Sequence, residues 1–539
     1  MTVKTVEDDA LVKRKAMNEA ILSGDSTVQK FYENAVILIT GGSGFLGKHL
    51  IFKLMSSCNL NKLFVLLRPR KGMSVHERLK SILEDPVFKI LHNEKPDFVT
   101  KLVAVEGDSA ENNLGLDKKT WTMISDEVNV IFHAAATVNF KETIKVATLT
   151  NVRSAREVLN LAKASKNIKA VVHVSTAYIQ ATKRNNSEVI KEDFYECPIS
   201  PEVLIKLAET VDEDKLDAMM EPIMKEWPNS YTFTKAVAEE LIRTDTANFP
   251  ICIVRPAIVI SAYRDPLPGW IDLKNAYGPS GLILGAAVGV VHTFYSKSEA
   301  IIDYVPVDIV NNTIILAAWD IFDRFKIGDK KKLVYTVTGT KNPLKYMDID
   351  RIMNSKKFKE LMPTKAVWHS YTVATRYKFL YLMLTWLLHY IPGLMIDGCC
   401  TILGKEPKFF KIYNMAYNLS IVYAHFLNNS WIFDGTNTSN LYNKLSTTDK
   451  IIYNCEMSTI DKEDMLFTWC YGIHKYILKD DLTRHDYAMK KQFYLKIVNC
   501  IFFPLYLFGL YKLVSMSGIL IFKILIAFYN NILINFLKC

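Results

Sequence analysis

A tyrosine and a lysine four residues apart, Tyr231-Thr-Phe-Thr-Lys235, project from one face of a helix. An ammonium beside a phenol stabilises the phenolate and lowers its pKa. Such a tyrosine can pass a proton to a carbonyl oxygen while hydride arrives at the carbon, and the lysine can also hold a nicotinamide ribose. Ordinary helices share this spacing, so the pair needs a context. Part of that context is Val174–Ser175–Thr176–Ala177–Tyr178. A hydroxyl at the carboxyl end of a parallel strand faces the ligand crevice. Thr176, with Ser175 as its neighbour, is the candidate to hydrogen-bond a substrate oxygen beside Tyr231. Capping the following segment is the other use of either residue.

The rest of the context lies near the N-terminus. Val36–Thr40 runs into Gly41, Gly42, Ser43, Gly44, Phe45, Leu46 and Gly47, and Lys48–Met55 then reads as a helix. That is a buried strand, a tight turn and a helix N-terminus. Gly41 can take backbone angles closed to side chains, Gly44 admits a pyrophosphate, and Gly47 allows close helix–strand packing. Free N–H groups and the helix dipole then favour phosphate. Further short apolar segments follow at Leu63–Leu67, Leu102–Val105, Val130–Phe132, Ala170–Val174 and Ile251–Val254. Strands this apolar are covered on both faces, and their alternation with helices predicts an α/β, doubly wound parallel sheet.

The 539 residues allow two or three domains, half the residues are hydrophobic, and the formal net charge is +10. The basic residues are dispersed, Arg68-Pro-Arg70-Lys71 being the densest group, so a nucleic-acid partner is not expected. Nine scattered cysteines contain no Cys-x-x-Cys pair, which points to a reduced compartment with no disulfide framework and no metal site. The sequons at Asn185 and Asn437 read as chance matches. Residues 1–34 read as a polar tail and short helix, 35–345 as the dinucleotide-binding domain, and 346–490 as a mainly helical second domain. Phe379–Leu388 is apolar and broken at Pro392–Gly393, which favours a core helix over a membrane-lying one. Residues 491–539 hold two apolar stretches, Ile497–Tyr511 and Gly518–Leu537, separated by Lys512–Ser517. So much apolar surface predicts membrane attachment, by one span, a hairpin or an in-plane pair.

Taken together, Thr40-Gly-x-x-Gly44-x-x-Gly47, His133–Ala134–Ala135–Ala136, His173-Val-Ser-Thr176-Ala-Tyr178 and Tyr231-x-x-x-Lys235 resemble an extended short-chain dehydrogenase/reductase. More narrowly, the chain resembles the eukaryotic fatty acyl-CoA reductases, the insect branch in particular. Further matches are Arg255–Pro256, Pro268-Gly-Trp270-Ile-Asp272, Gly278-Pro-Ser-Gly281 and Asp303-Tyr-Val-Pro-Val-Asp308. Ile391-Pro-Gly-Leu-Met-Ile-Asp397, Asn429-Ser-Trp431-Ile-Phe433 and Gly472-Ile-His extend the likeness into the second domain. Two features depart from the pattern. Ser154 stands where the family has glycine, and a tryptophan expected shortly after Ile460–Asp461 is absent, Trp469 being the nearest.

The resemblance implies that a long-chain fatty acyl-CoA is reduced by NADPH through an aldehyde to a primary alcohol, with release of CoA. Tyr231, Thr176, Ser175 and Lys235 would be its catalytic residues. Thr40, Gly41, Ser43, Gly44, Phe45, Leu46, Gly47, Ala134, Ala135, Lys235, Arg255 and Pro256 would hold the cofactor. Arg68, about twenty residues beyond Gly47, suits a 2′-phosphate where an acidic residue would suit the ribose diol of NADH. Arg70 and Lys71 are helpers or a solvated turn. Asp108 follows the third strand near the adenine, and Asn151 either supports the site or is polar helix surface. The expected location is the endoplasmic reticulum membrane with cytosolic catalytic domains, ahead of the peroxisome, since no Ser-Lys-Leu ending is present. Two other readings compete. A membrane-tethered hydroxysteroid dehydrogenase would lack the region 346–490, and a non-catalytic nucleotide scaffold would not need Tyr231, Lys235 and Thr176 intact.

Overall fold

The computed structural model describes residues 3–70, 72–180, 182, 188–246, 248–272 and 278–536, with side chains as far as Ser515. Lys71 and Asn185 lie outside the described residues. Seven strands form one sheet: β1 (Val36–Thr40), β2 (Lys62–Leu67), β3 (Leu102–Glu106), β4 (Val130–His133), β5 (Ala170–Val174), β6 (Ile251–Pro256) and β7 (Leu333–Val337). Their order is β7-β6-β5-β4-β1-β2-β3, and every pairing is parallel. The order reverses between β1 and β4, and the carboxyl ends of the strands open there into a crevice. β1, β4, β5 and β6 are buried along their whole length. Two apolar cores cover the two faces of the sheet.

The helices used below are α1 (Val3–Leu22), α2 (Phe45–Ser57), α3 (Val75–Leu83), α4 (Ser230–Thr244), α5 (Pro279–Ala287), α6 (Tyr346–Met353), α7 (Lys378–Ile402), α8 (Phe409–Asn428), α9 (Lys462–Gly472) and α10 (His485–Phe536). Four of these elements depart from the sequence reading. The N-terminal tail is a twenty-residue helix, α1, whose buried Val6, Ala10, Met17 and Ala20 form a narrow stripe among charges. β7 was not foreseen; it follows the lysines at 330–332. α7 does not break at Pro392–Gly393. A wide turn over Trp386–Tyr390 precedes Ile391, and Pro392 takes the first turn of the renewed α-helical segment, where its missing N–H costs little. The two C-terminal apolar stretches are one helix, α10, with Pro504 inside it.

The residues after 346 do not stand apart from the sheet. Ile432–Phe433 pairs with Val189–Ile190, and Val373–Thr375 with Thr293–Tyr295. Thr438 donates its hydroxyl hydrogen to the Thr336 carbonyl of β7 (2.9 Å), and the Asn437 side-chain amide donates to Val334 (2.8 Å), so that sequon's nitrogen is spent within the fold. α9 crosses the loop at Pro268-Gly-Trp270 so closely that a Cβ on Gly472 would overlap the Gly269 carbonyl. Gly269 itself has φ +70°, a region that favours glycine.

Candidate active site

β5 delivers Ser175 and Thr176 to the crevice, and α4 delivers Tyr231 and Lys235 from one face. Asn229 caps α4 by accepting from the Thr232 N–H at 2.9 Å, which fixes where Tyr231 starts. Thr176 and Tyr231 line the same crevice, where the Thr176 hydroxyl acts on the phenol, and the Phe140 ring stacks on the Tyr231 ring at 5.7 Å. Lys235 Nζ donates to the Val174 carbonyl at 2.7 Å. Asn151, fully buried and so not helix surface, accepts from the Thr137 N–H (2.9 Å) and donates to the Thr234 hydroxyl (2.9 Å). It ties the loop after β4 to α4.

The electrostatics correct one expectation. Burial pushes the Tyr231 phenol up to about 12, against a smaller lowering by the Thr176 hydroxyl. The Lys235 ammonium does not lower it, because Nζ is turned to the strand carbonyl. Burial brings Lys235 itself down to about 8, with Glu239 opposing. Behind them the rings of His133 and His173 lie 5.1 Å apart. Burial, helped by Lys235, holds His133 at about 3 and His173 well below its usual range, so both are neutral at pH 7. The Ser175 hydroxyl, 4 % exposed as a residue, has no hydrogen-bond partner among the described residues.

Phe140, Ser175, Thr176, Tyr231 and Lys235 line a crevice of 870 Å³ together with Gly41, Gly44, Phe45, Leu46, Gly47, Ala134 and Pro256. Gly41 has φ +77°, and a Cβ there would meet the Ala134 backbone at 2.7 Å. A Cβ on Gly47 would overlap the Gly41 carbonyl. Gly44 caps α2 with no side-chain hydrogen bond, which leaves the first-turn N–H groups to face the crevice. The fit to a dinucleotide therefore rests on a cradle closed to side chains and an orphaned hydroxyl at its far end. α8 covers the opening, and Trp469 of α9 closes one side with its indole N–H donated to Ser280 (2.9 Å).

Six expected cofactor residues do not line the crevice: Thr40, Ser43, Ala135, Arg255, Arg68 and Asp108. Thr40 is a clasp between β1 and β4, with its hydroxyl 2.7 Å from His133 Nδ1 and accepting from the Ala135 N–H at 3.3 Å; neither Thr40 nor Ala135 lines the crevice. Ser43 does not line it either. Arg255 is 1 % exposed and spends its guanidinium on Glu239 (2.5 and 3.0 Å) and on the carbonyls of Lys191 and Asp193. Its place at the end of β6 misled the motif reading, because the side chain turns back into the protein.

Arg68 and Asp108 meet at the ends of β2 and β3 as an ion pair of 3.2 Å. Arg78 of α3 donates to the Arg68 carbonyl, and Arg68 and Arg70 are close enough to lower its pKa, although burial is the larger cause. Arg78 carried no motif and was not foreseen. Phe140 was also missed. Ser154, the departure from glycine, donates to the Thr150 carbonyl (2.5 Å) and lies 3.3 Å from His133 Nε2.

A parallel sheet in this order, with a glycine turn at its switch point, is a doubly wound dinucleotide-binding fold. Family profiles described as "Male sterility protein" match residues 39–314, the NAD-binding part, and 388–480. Fatty acyl-CoA reductase wat of Drosophila melanogaster is 32% identical over 497 residues, covering 91% of this chain and 94% of its own. Fatty acyl-CoA reductase 1 of Rattus norvegicus is 32% identical over 465 residues, covering 86% and 88%. Among solved structures, the terminal R domain of the myxalamid biosynthetic pathway aligns with TM-score 0.54 at 18% identity, over 83% of this chain and 92% of its own. The reductase domain of a Mycobacterium tuberculosis nonribosomal peptide synthetase aligns with TM-score 0.53 at 16% identity, over 83% and 92%. The chain belongs to the fatty acyl-CoA reductase family and is an oxidoreductase.

Proposed function

We propose that this enzyme reduces long-chain fatty acyl-CoA to the primary alcohol at a membrane, with NADPH as reductant and Tyr231 as acid. The observation that carries this reading is one crevice in which the phenol–hydroxyl pair Tyr231–Thr176 shares a wall with Lys235 and the far wall is the glycine turn. Arg68, Arg70 and Arg78 support the 2′-phosphorylated cofactor, since they gather guanidinium charge where the adenosine ribose of such a fold lies.

Ser175 and Lys235 would hold the nicotinamide of NADPH, which would supply one hydride to the thioester carbonyl carbon, a second NADPH supplying one to the aldehyde. Tyr231 gives its proton to the carbonyl oxygen as charge develops there, while Thr176 holds that oxygen. In the hemithioacetal the hydroxyl proton returns to the Tyr231 phenolate, the carbonyl re-forms, and the C–S bond breaks with its electron pair leaving on the CoA thiolate. Tyr231 is thereby ready for the aldehyde. After the second proton transfer the phenolate is reprotonated from solvent by way of Lys235. Asn151 and Phe140 position α4 and the phenol.

The apolar helices α7 and α10 support membrane attachment, with the endoplasmic reticulum as the expected compartment and the catalytic face in the cytosol. The test is purified protein with hexadecanoyl-CoA and NADPH, products identified by mass. Hexadecanol and free CoA are expected, with Tyr231→Phe slower by about 10²-fold or more in both steps. Oxidation of a sterol with no turnover of any acyl-CoA would overturn the reading.

A further inference from the structure

The geometry points to a fixed orientation of the acyl-CoA along α8, with the CoA end at Lys411 and the acyl chain running past Phe426 into a second cavity. This rests on the acyl-CoA reading above. α8 presents Lys411, Asn414, Asn418, Val422, Tyr423 and Phe426 to the crevice, at the spacing of one helix face. The stripe changes character along its length. Apart from Met415, its N-terminal half is cationic and amide-bearing, and its C-terminal half is apolar and aromatic. A thioester substrate has the same polarity, with a phosphorylated, amide-containing carrier on one side of the reacting carbon and a hydrocarbon on the other.

A second cavity of 190 Å³ adjoins the crevice at this end, and Ile258, Pro279, Tyr423 and Phe426 line both. It runs between α5 and α6, and its own lining includes Leu282, Ala286, Phe294 and Tyr346. No reacting group of the mechanism reaches it. Its polar lining groups include Asp350 and Asn354, on and just beyond α6, and Ser370, Thr372 and His474. A mainly apolar cavity beside the reaction crevice suits methylenes far from the thioester, whose burial is favourable. Residues on α5 and α6 therefore set chain length. Asp397 secures the register of the stripe, because its carboxylate accepts the N–H groups of Lys408, Phe409 and Phe410 (2.9, 2.9 and 2.8 Å) at the start of α8.

Chain-length profiles test this in the full-length enzyme reconstituted with lipid. Ala286→Phe plugs the second cavity, and the ratio of kcat/KM for hexadecanoyl-CoA to that for octanoyl-CoA should fall by about tenfold or more. Phe294→Ala enlarges the cavity and should raise the same ratio for chains longer than sixteen carbons. Lys411→Ala should raise the KM for acyl-CoA severalfold relative to the KM for hexadecanal, which carries no CoA. The ratios remain readable if a variant is partly misfolded. An unchanged length ratio in both cavity variants, or equal KM changes for thioester and aldehyde in Lys411→Ala, overturns the orientation. If the unsubstituted enzyme reduces no acyl-CoA of any length, it is the parent reading that fails.

Discussion

Lys235 is the titrating member of the site. Burial brings it to about 8, whereas burial drives Tyr231 up to about 12, so the phenol remains an acid across the physiological range. The ammonium is present below pH 8 and lost above it. The value of kcat/KM, which reports the free enzyme, should fall as pH rises through about 8. In Lys235→Arg the cation does not titrate, so this limb should move to higher pH even though turnover drops. An alkaline limb in the same place in both proteins would assign it to another group. The arginines at the ends of β2 and α3 give a second expectation. Arg78→Ala should raise the KM for NADPH by about tenfold, the scale of one charge-assisted hydrogen bond, and leave that for NADH little changed. An equal effect on both cofactors would remove the 2′-phosphate from this corner. That Tyr231 and the glycines share one crevice was legible in the sequence because each carries its chemistry in residue type and spacing. The turn of Arg255 towards Glu239 and the approach of Arg78 to Arg68 were not legible for one reason: a side chain's direction is set by packing between distant elements, which spacing does not encode.

At the scale of elements, β1 to β6 could be read because a strand covered on both faces is apolar throughout, and that run survives in one dimension. β7 and α1 could not. The first is a short run hard by three lysines, and the second buries one narrow stripe among charges. The glycines of the second region illustrate a further limit. Gly269 and Gly472 lie in motifs two hundred residues apart, and each motif alone gives no reason for glycine. The reason is their mutual approach, where α9 crosses the Trp270 loop backbone against backbone. Gly472→Ala should cost about 1–3 kcal/mol through this overlap. Gly398→Ala, at a helical glycine with open space around it, should be neutral or slightly stabilising. Chemical denaturation of the two variants in one detergent compares them, and equal midpoints would mean that the crossing relaxes freely.

For the whole molecule the question is which surface meets lipid. Phe379, Trp386, Met395 and Ile402 of α7 are 81, 53, 54 and 86% exposed. α10 lies beside them, held by the Tyr506 hydroxyl donating to the Leu387 carbonyl (2.9 Å) and by the Trp368 indole donating to Asn499 (2.8 Å). Its Phe493, Ile501, Leu505 and Phe508 are exposed too. An apolar surface this extensive is rare on a protein that lives in water. α10 has 52 residues, about 78 Å at 1.5 Å per residue, more than twice the hydrocarbon thickness of a bilayer. It can therefore rest on the body at one end and enter lipid at the other, with α7 lying in the interface as a second contact. α7 was read from sequence as a core helix because its aromatics and the Pro392–Gly393 pair suggested an interrupted buried segment; its exposed apolar residues make it a surface helix. If both helices hold the membrane, Phe379→Ser with Ile402→Ser should weaken partition into phospholipid vesicles by about tenfold or more in a chain truncated after Ser515, since each side chain contributes about 1.5–3 kcal/mol when buried. In the full chain the same pair should have a smaller effect, because the rest of α10 still anchors it. Flotation of the four proteins with vesicles separates the cases. Unchanged flotation of the truncated chain on losing Phe379 and Ile402 would leave α10 as the sole anchor and α7 as a surface that meets something other than lipid.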